Sequence, residues 1–132
     1  MENDSRIKEQ LAETYFKEGN TAFSNNDCEK AIDCYKRAVT CKPDLAYAYV
    51  NMGGAYYHWN KQYEKAIECY QKAIECWEKA IEHKLDLSMA YYNMGAAYLK
   101  TGDNEQAIAS MKQAAQLGHE SAKNWLKENG IE

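Results

Sequence analysis

The chain contains close copies of one segment of its own sequence, and this internal repeat constrains the fold more than any other feature. The segment AYVNMGGAYYHWN at residues 48–60 closely matches AYYNMGAAYLKTG at residues 90–102, and KEGNTAFSNND at residues 17–27 is a looser third copy. Self-similarity of this kind is typical of proteins that stack one small structural unit. We therefore expect three copies of a single unit.

Each copy is predicted to be a pair of helices. A glycine marks the same point in each copy, at Gly19, Gly53 and Gly95. In the second copy it is followed by Ala66, Tyr70 and Ala73, which place small and large side chains at helical spacing. A small residue lets two crossing helices approach closely, and a large residue opposite fills the remaining space. Because one hairpin cannot cover its own apolar face, we expect the three to stack around a shared core.

Composition supports an all-α domain and narrows its partners. One proline and seven glycines among 132 residues favour helices and leave little room for a turn-rich β-fold. The net charge is −4 with acids and bases interspersed, so no basic stripe can follow a nucleic-acid backbone. The amino terminus is charged, and no run approaches the roughly 18 apolar residues of a membrane span. These features predict a single cytoplasmic domain, residues 1–132, that binds neither nucleic acid nor membrane.

The cysteines and histidines do not predict a metal, redox or catalytic site. The five cysteines are odd in number and include no CxxC pair, so we expect reduced and mostly buried thiols. Cys69 and Cys76 are about 10.5 Å apart along a helix, whereas two thiolates on one zinc each lie about 2.3 Å from it. No phosphate-binding loop, nucleophile elbow or HExxH motif is present. We therefore predict no metal, no cofactor and no enzymatic activity.

The helix pairs resemble the tetratricopeptide repeat family. The family pattern of aromatic, aliphatic-glycine, aromatic, then alanine, aromatic and small residue is matched in the second copy by Tyr49, Met52, Gly53, Tyr56, Ala66, Tyr70 and Ala73. The third copy matches with Tyr91, Met94, Gly95, Tyr98, Ala107 and Ala114. The first copy departs from the pattern at Glu18 and Ala22 but has the family's terminal proline, Pro43.

The resemblance implies a right-handed α-solenoid of three antiparallel helix hairpins. The repeats would span about residues 12–45, 46–87 and 88–121. The segment SAKNWLKENG at residues 121–130 is predicted to form a capping helix that begins at Ser121. Its apolar side would consist of Ala122, Trp125 and Leu126.

The second repeat is longer than the first, and a repeated heptad accounts for most of the difference. Gly19 and Gly53 are 34 residues apart, the family period, whereas Gly53 and Gly95 are 42 residues apart. One extra residue falls in the turn HWNKQY, and seven fall in AIECYQKAIECWEKAIEHKLD at residues 66–86. Seven residues turn a helix by about 700°, nearly two full turns, so the apolar stripe would stay in line. We therefore predict an extended second helix in repeat two, from Tyr63 to His83.

The apolar stripe of this extended helix has two possible roles. It could be the buried face of a single long helix, or it could project and bury against a second copy of the chain. The residues of this candidate assembly surface are Tyr70, Ile74, Trp77 and Ile81. The second role would make the chain a self-associating structural unit that forms homo-oligomers.

The resemblance also implies a ligand site, because the first helices of successive repeats line a concave groove in this family. The residues expected to face that groove are Phe16, Lys17, Asn20, Phe23, Ser24, Tyr47, Val50, Asn51, Tyr57, His58, Met89, Tyr92, Asn93, Leu99 and Lys100. Asn20, Asn51 and Asn93 could form a ladder of amides that hydrogen-bond a peptide backbone, with apolar pockets between them. We therefore predict a protein-interaction module whose partner is a peptide or helical segment of another protein.

One branch of the family clamps the carboxylate terminus of chaperones with basic residues beside paired asparagines. Asn20 and Asn51 match that motif. Phe16 replaces the lysine one turn before the first asparagine, and Met89 and Asn93 replace the basic pair of the third repeat. Without these three cations, a doubly charged terminus would lose most of its charge-assisted hydrogen bonds. Because only the two asparagines of the motif are present, a chaperone-terminus clamp is the second alternative, after the binding of other peptides and self-association.

Overall fold

The computed structural model describes residues 2–79 and 83–132, and these ranges contain helices and no strand. The described helices are α1 (Glu2–Ser24), α2 (Cys28–Cys41), α3 (Ala46–His58), α4 (Tyr63–Trp77), α5 (Lys84–Thr101), α6 (Asn104–Gln116) and α7 (Glu120–Glu128). Each helix packs against the next in sequence, and α1 also contacts α3. The fold is therefore a row of hairpins, α1–α2, α3–α4 and α5–α6, followed by α7. This arrangement confirms the predicted all-α solenoid.

Close helix crossings lie at the repeat glycines, as the sequence predicts. A Cβ atom at Gly19 would lie 2.6 Å from the Tyr35 ring, and a Cβ atom at Gly53 would lie 2.6 Å from the Tyr70 ring. Both rings are buried, so each fills the space that the missing side chain leaves. The two glycine–tyrosine pairs therefore set the separation of the helices in the first two hairpins.

The second helix of repeat two is not extended, and that part of the prediction is wrong. α4 has 15 residues and ends at Trp77, whereas α2 has 14 residues. The inserted residues lengthen the next helix instead, because α5 has 18 residues against 13 in α3. α5 begins at Lys84, four residues before Ser88, which is equivalent to the first residue of α3. Part of the repeated heptad therefore forms an added first turn of α5.

The apolar stripe of α4 is buried within the chain. Tyr70, Ile74 and Trp77 are 3%, 6% and 5% exposed and belong to the main core cluster. The Trp77 ring contacts Tyr47 of α3 at a centroid distance of 5.0 Å and stacks on His83 at 6.0 Å. These residues are not an exposed assembly surface, because neighbouring helices already cover their apolar area. The fourth predicted member, Ile81, lies outside the described residues.

The N-cap of the capping helix lies two residues earlier than predicted. α7 starts at Glu120, and its N-cap is His119 rather than Ser121. The His119 Nδ1 atom accepts a hydrogen bond from the backbone N–H of Ala122 at 3.2 Å, which supplies one of the partners that a helix start lacks. Ala122 and Leu126 are buried against α6, as predicted from the sequence.

Replacing His119 with alanine should loosen α7. The His119 ring also stacks on Tyr92 of α5 at a centroid distance of 4.3 Å, so the variant loses a cap and an aromatic contact. We expect the free energy of unfolding to fall by about 1–2 kcal/mol and the α7 amides to exchange hydrogen faster. His119→Asn, which keeps a capping side chain, should retain more of the stability. Equal stability of His119→Ala and wild type would contradict this role.

The cysteines are free thiols in the structure. Cys34 and Cys69 are buried, whereas Cys28, Cys41 and Cys76 are half-buried. Burial raises the pKa of the Cys69 thiol from its ordinary value of 9.0 to about 12. The described residues contain no group of three or more histidine, cysteine, aspartate or glutamate side chains placed to hold a metal ion.

Stability should fall in alkaline solution, partly because of Cys69. The unfolded chain releases the Cys69 proton near pH 9, whereas the folded chain retains it until about pH 12. The stabilising contribution is therefore complete below pH 9 and is lost progressively between pH 9 and 12, with a slope of at most about 1.4 kcal/mol per pH unit. Urea unfolding at pH 8.5 and 10.5 should show a smaller loss for Cys69→Ala than for wild type or Cys41→Ala. Equal losses in all three proteins would contradict the assignment.

Candidate functional site

The first helices of the three hairpins line a continuous groove. One part, about 400 Å³ in volume, is lined by Phe23, Val50, Asn51, Gly54, Tyr57, His58, Tyr70, Met89, Asn93 and Ala96. An adjoining part of about 370 Å³ is lined by Asn20, Phe23, Ser24 and Asn51. The two parts share Phe23 and Asn51, so we describe them as one site, the α1–α3–α5 groove.

Two of the three predicted asparagines, Asn20 and Asn51, are joined by a side-chain hydrogen bond. The Asn20 Oδ1 atom accepts from the Tyr35 hydroxyl at 2.6 Å and from Asn51 Nδ2 at 2.9 Å. Burial raises the pKa of Tyr35 to about 12, so its hydroxyl stays protonated and remains a donor at neutral pH. Because the Asn20 oxygen accepts two hydrogen bonds, the Asn20 amide hydrogens and the Asn51 oxygen are the groups of this pair that can bond to a ligand.

Asn93 stands apart from this pair. It lines the groove on α5 together with Met89 and Ala96. The side-chain hydrogen bonds of Asn20 and Asn51 join them to Tyr35 and to each other and do not include the Asn93 side chain. The three asparagines thus form a bonded pair and a separate amide across the groove, rather than one ladder with equivalent members.

Several residues predicted to face the groove have other contacts. Phe16 packs on Tyr35 at a centroid distance of 6.0 Å, and Tyr92 stacks on His119. Leu99 packs against the core cluster of α6 and α7. The structure places a further group outside the groove lining: Tyr47 packs on Trp77, Lys17 forms an exposed ion pair with Glu13 at 3.4 Å, and Lys100 is exposed.

The sequence prediction missed three lining residues. Gly54 and Ala96 lie one position after the repeat glycines and three positions after Asn51 and Asn93, so the helical period could have identified them. Tyr70 lies on α4, and only its packing beneath α3 brings it to the groove floor. The helical period of α3 and α5 cannot identify Tyr70 as a lining residue, because Tyr70 belongs to a different helix.

The lining of the groove is largely apolar. None of the described residues that line its two parts is a lysine, arginine, aspartate or glutamate. Aromatic contacts hold the walls in place, since the rings of Phe23 and Tyr57 both pack on His58, at centroid distances of 6.4 and 5.2 Å. Burial raises the pKa of the Tyr57 hydroxyl, so it stays neutral as well. Such a surface suits an uncharged ligand with apolar side chains.

A larger cleft lies at the other edge of the molecule, between the start of α2 and the α3–α4 turn. Its volume is about 860 Å³ and its lining is highly polar. Three lysines and three carboxylates balance each other there: Lys30, Lys36, Lys65, Asp27, Glu29 and Asp33. With no net charge and no bonded amide pair, this cleft is a weaker candidate site than the groove.

The family of the chain follows from its match to known repeats. A family model described as Tetratricopeptide repeat matches residues 44–117, more than half of the chain, and a TPR repeat model matches residues 19–58. The chain belongs to the tetratricopeptide repeat family. Domains of this family are generally non-catalytic protein-interaction modules, which agrees with the predicted class of function.

Solved structures share the arrangement of helices in this tetratricopeptide repeat domain. The N-terminal domain of stress-induced protein-1 (STI-1) from C. elegans matches with a TM-score of 0.85 at 21% identity, over 92% of this chain and 95% of that domain. The second TPR of Spaghetti (RPAP3), bound to HSP90 peptide SRMEEVD, matches with a TM-score of 0.75 at 26% identity, over 89% and 99% of the two chains.

A curated relative covers only part of the domain. Protein O-mannosyl-transferase TMTC1 from Mus musculus is 37% identical over 64 residues, which is 44% of this chain and 7% of that protein. The matched part of this chain therefore spans only a small fraction of the length of the transferase. In the described residues, no helix combines the length and hydropathy needed to cross a membrane.

Proposed function

We propose that the α1–α3–α5 groove binds an extended, uncharged and largely apolar peptide segment of another protein. The observation that carries the proposal is the combination of amides and apolar walls in one groove, with Asn51 and Asn93 on neighbouring helices. The Spaghetti domain, which has the same fold, has a peptide bound. A peptide partner is therefore consistent with the fold as well as with the lining.

The asparagine amides supply the polar part of recognition in this proposal. Tyr35 and Asn20 hold the Asn51 side chain, so its free oxygen is presented to a ligand at little entropic cost. Asn93 supplies a second amide that donates and accepts. Together they can satisfy the N–H and C=O groups of a peptide backbone, which would otherwise lose hydrogen bonds to water.

A chaperone terminus such as SRMEEVD is the rival ligand. It deserves a test because the Spaghetti domain binds it. Such a peptide carries several carboxylates, and the described lining residues offer no lysine or arginine to pair with them. Desolvating unpaired carboxylates is costly, so we expect this domain to prefer uncharged peptides.

The proposal is tested with a library of random 12-residue peptides displayed on phage and selected on the wild-type domain. The most enriched sequence is then synthesised and titrated by fluorescence anisotropy, with SRMEEVD in parallel. We expect the Asn51→Ala, Asn93→Ala variant to bind the selected peptide about 10- to 100-fold more weakly, because two backbone hydrogen bonds are lost. Asn124→Ala, on the exposed face of α7, is the matched control and should bind as wild type does.

Three outcomes would contradict the proposal. Selection of no peptide, or equal affinity of the double variant and wild type, would show that the groove is not the binding site. Tighter binding of SRMEEVD than of any selected uncharged peptide would assign the site to acidic termini instead. Circular dichroism of each variant separates loss of binding from loss of fold.

A further inference from the structure

We propose that the added first turn of α5 extends the α1–α3–α5 groove and binds a large apolar side chain of the peptide. The inference rests on the proposed function, and it concerns which peptides the groove selects. The groove extension consists of Tyr47, Leu85 and Met89. In the described part of the chain these are three of the five large hydrophobic residues that are exposed, at 43%, 77% and 55% respectively.

The extension is continuous with the groove. Met89 lines the groove next to Asn93, and Leu85 lies one helical turn before Met89 on α5. Tyr47 has the same relation to Asn51 on α3, because the two residues are also four positions apart. The two helices therefore present parallel rows, and the row on α5 is longer. The position equivalent to Leu85 in the preceding repeat is Pro43, which lies before α3 begins.

Contacts around the insertion hold this surface in place. The Tyr47 hydroxyl donates to Asp86 Oδ2 at 2.5 Å, which ties α3 to the added turn of α5. The Tyr47 ring packs edge-on against the buried Trp77 at 5.0 Å. Because these contacts fix the Tyr47 ring before any ligand arrives, an apolar side chain can bury against it without ordering the site.

The chemistry of the groove extension favours an apolar side chain of a peptide over an acidic side chain or a second copy of the chain. Leu85 and Met89 offer only apolar atoms, and the nearby Asp86 carboxylate disfavours an acidic residue. A second copy of the chain is a poor occupant, because three partly exposed side chains cannot supply the roughly 800 Å² per partner of a stable interface. Leu85 lies about 12 Å along α5 from Asn93, which an extended peptide spans in about three or four residues.

The test uses the peptide selected on the wild-type domain and a second version of it. An alanine scan of the peptide first identifies the peptide residue whose replacement matters least to the Asn51→Ala, Asn93→Ala variant and most to wild type, which marks the residue that contacts the asparagines. In the second version of the peptide, alanine replaces the large apolar residue three or four positions from that residue. The Leu85→Gln domain should bind the first peptide about tenfold more weakly than the wild-type domain does. The two domains should bind the alanine version with equal affinity. Ile7→Gln, at a residue of α1 that is 53% exposed and distant from the groove lining, is the matched control and should bind both peptides as wild type does.

The outcomes separate this inference from the proposed function. If the asparagine variant loses affinity but Leu85→Gln does not, the extension is wrong and the groove remains the site. If Leu85→Gln weakens both peptides equally, the leucine acts on the fold and not on the apolar residue, which also overturns the extension. If neither variant affects binding, both proposals fail. A wild-type dimer in sedimentation velocity that Leu85→Gln converts to a monomer would assign the surface to a second copy and overturn the inference.

Discussion

Replacing Gly53 with leucine should lower the free energy of unfolding by about 3 kcal/mol or more, because it overpacks a closed helix crossing. Even a single Cβ atom at this position would lie 2.6 Å from Cε1 of Tyr70 and 3.0 Å from two further ring atoms. The Tyr70 ring is 3% exposed and cannot swing into solvent. Relief of the clash would require α3 and α4 to separate, which would also open the core shared by the neighbouring hairpins. Urea unfolding followed by circular dichroism measures the loss.

Gly54→Ala is the matched control, because it changes the adjacent residue in the same helix. A Cβ atom there would meet the edge of the half-buried Phe23 at 3.3 Å, a contact that a small shift of the ring relieves. Alanine also favours the helical state over glycine by about 1 kcal/mol. We expect this variant to be at least as stable as wild type. Wild-type stability of Gly53→Leu would show that the crossing is looser than its geometry indicates.

Replacing Trp77 with alanine should lower the free energy of unfolding by about 3–5 kcal/mol without changing the oligomeric state. The Trp77 side chain is 5% exposed, lies at the end of α4, and packs against Tyr47 and His83. Its removal would leave a cavity between α4, Tyr47 of α3 and His83. The large loss follows from burial, since an exposed tryptophan that mediated assembly would contribute little to the stability of the monomer.

Trp125→Ala provides the comparison within the chain. Trp125 is half-buried on α7, so its truncation removes less packed surface and should cost much less stability. Sedimentation velocity on both variants tests the other half of the prediction. If Trp77→Ala keeps wild-type stability but alters the sedimentation coefficient, Trp77 mediates assembly and is not the core residue described above.

The groove was predictable from the family resemblance where the aligned repeats place equivalent residues on the same helix face. Asn51, Tyr57 and Asn93 could be assigned because the aligned repeats give their helices the same orientation. The prediction placed Tyr92 in the groove, whereas in the structure its ring stacks on His119 of the turn before α7 and does not line either of the two parts. It also failed to foresee the bond between Asn20 and Asn51, because their separation depends on how closely α1 and α3 approach.

The sequence by itself determined the repeat unit, the all-α class and the partners at each helix crossing. Those features depend on residues within one hairpin, where spacing along the chain sets spacing in the structure, as at Gly53 and Tyr70. Only the tertiary structure decided what became of the repeated heptad. A heptad keeps its apolar stripe in line whether it lengthens α4 or the following helix, so local periodicity is the same in both cases. The Trp77 ring packs against Tyr47 within the second hairpin, and the bond from Tyr47 to Asp86 joins that hairpin to α5; both contacts accompany the end of α4 and the added turn on α5.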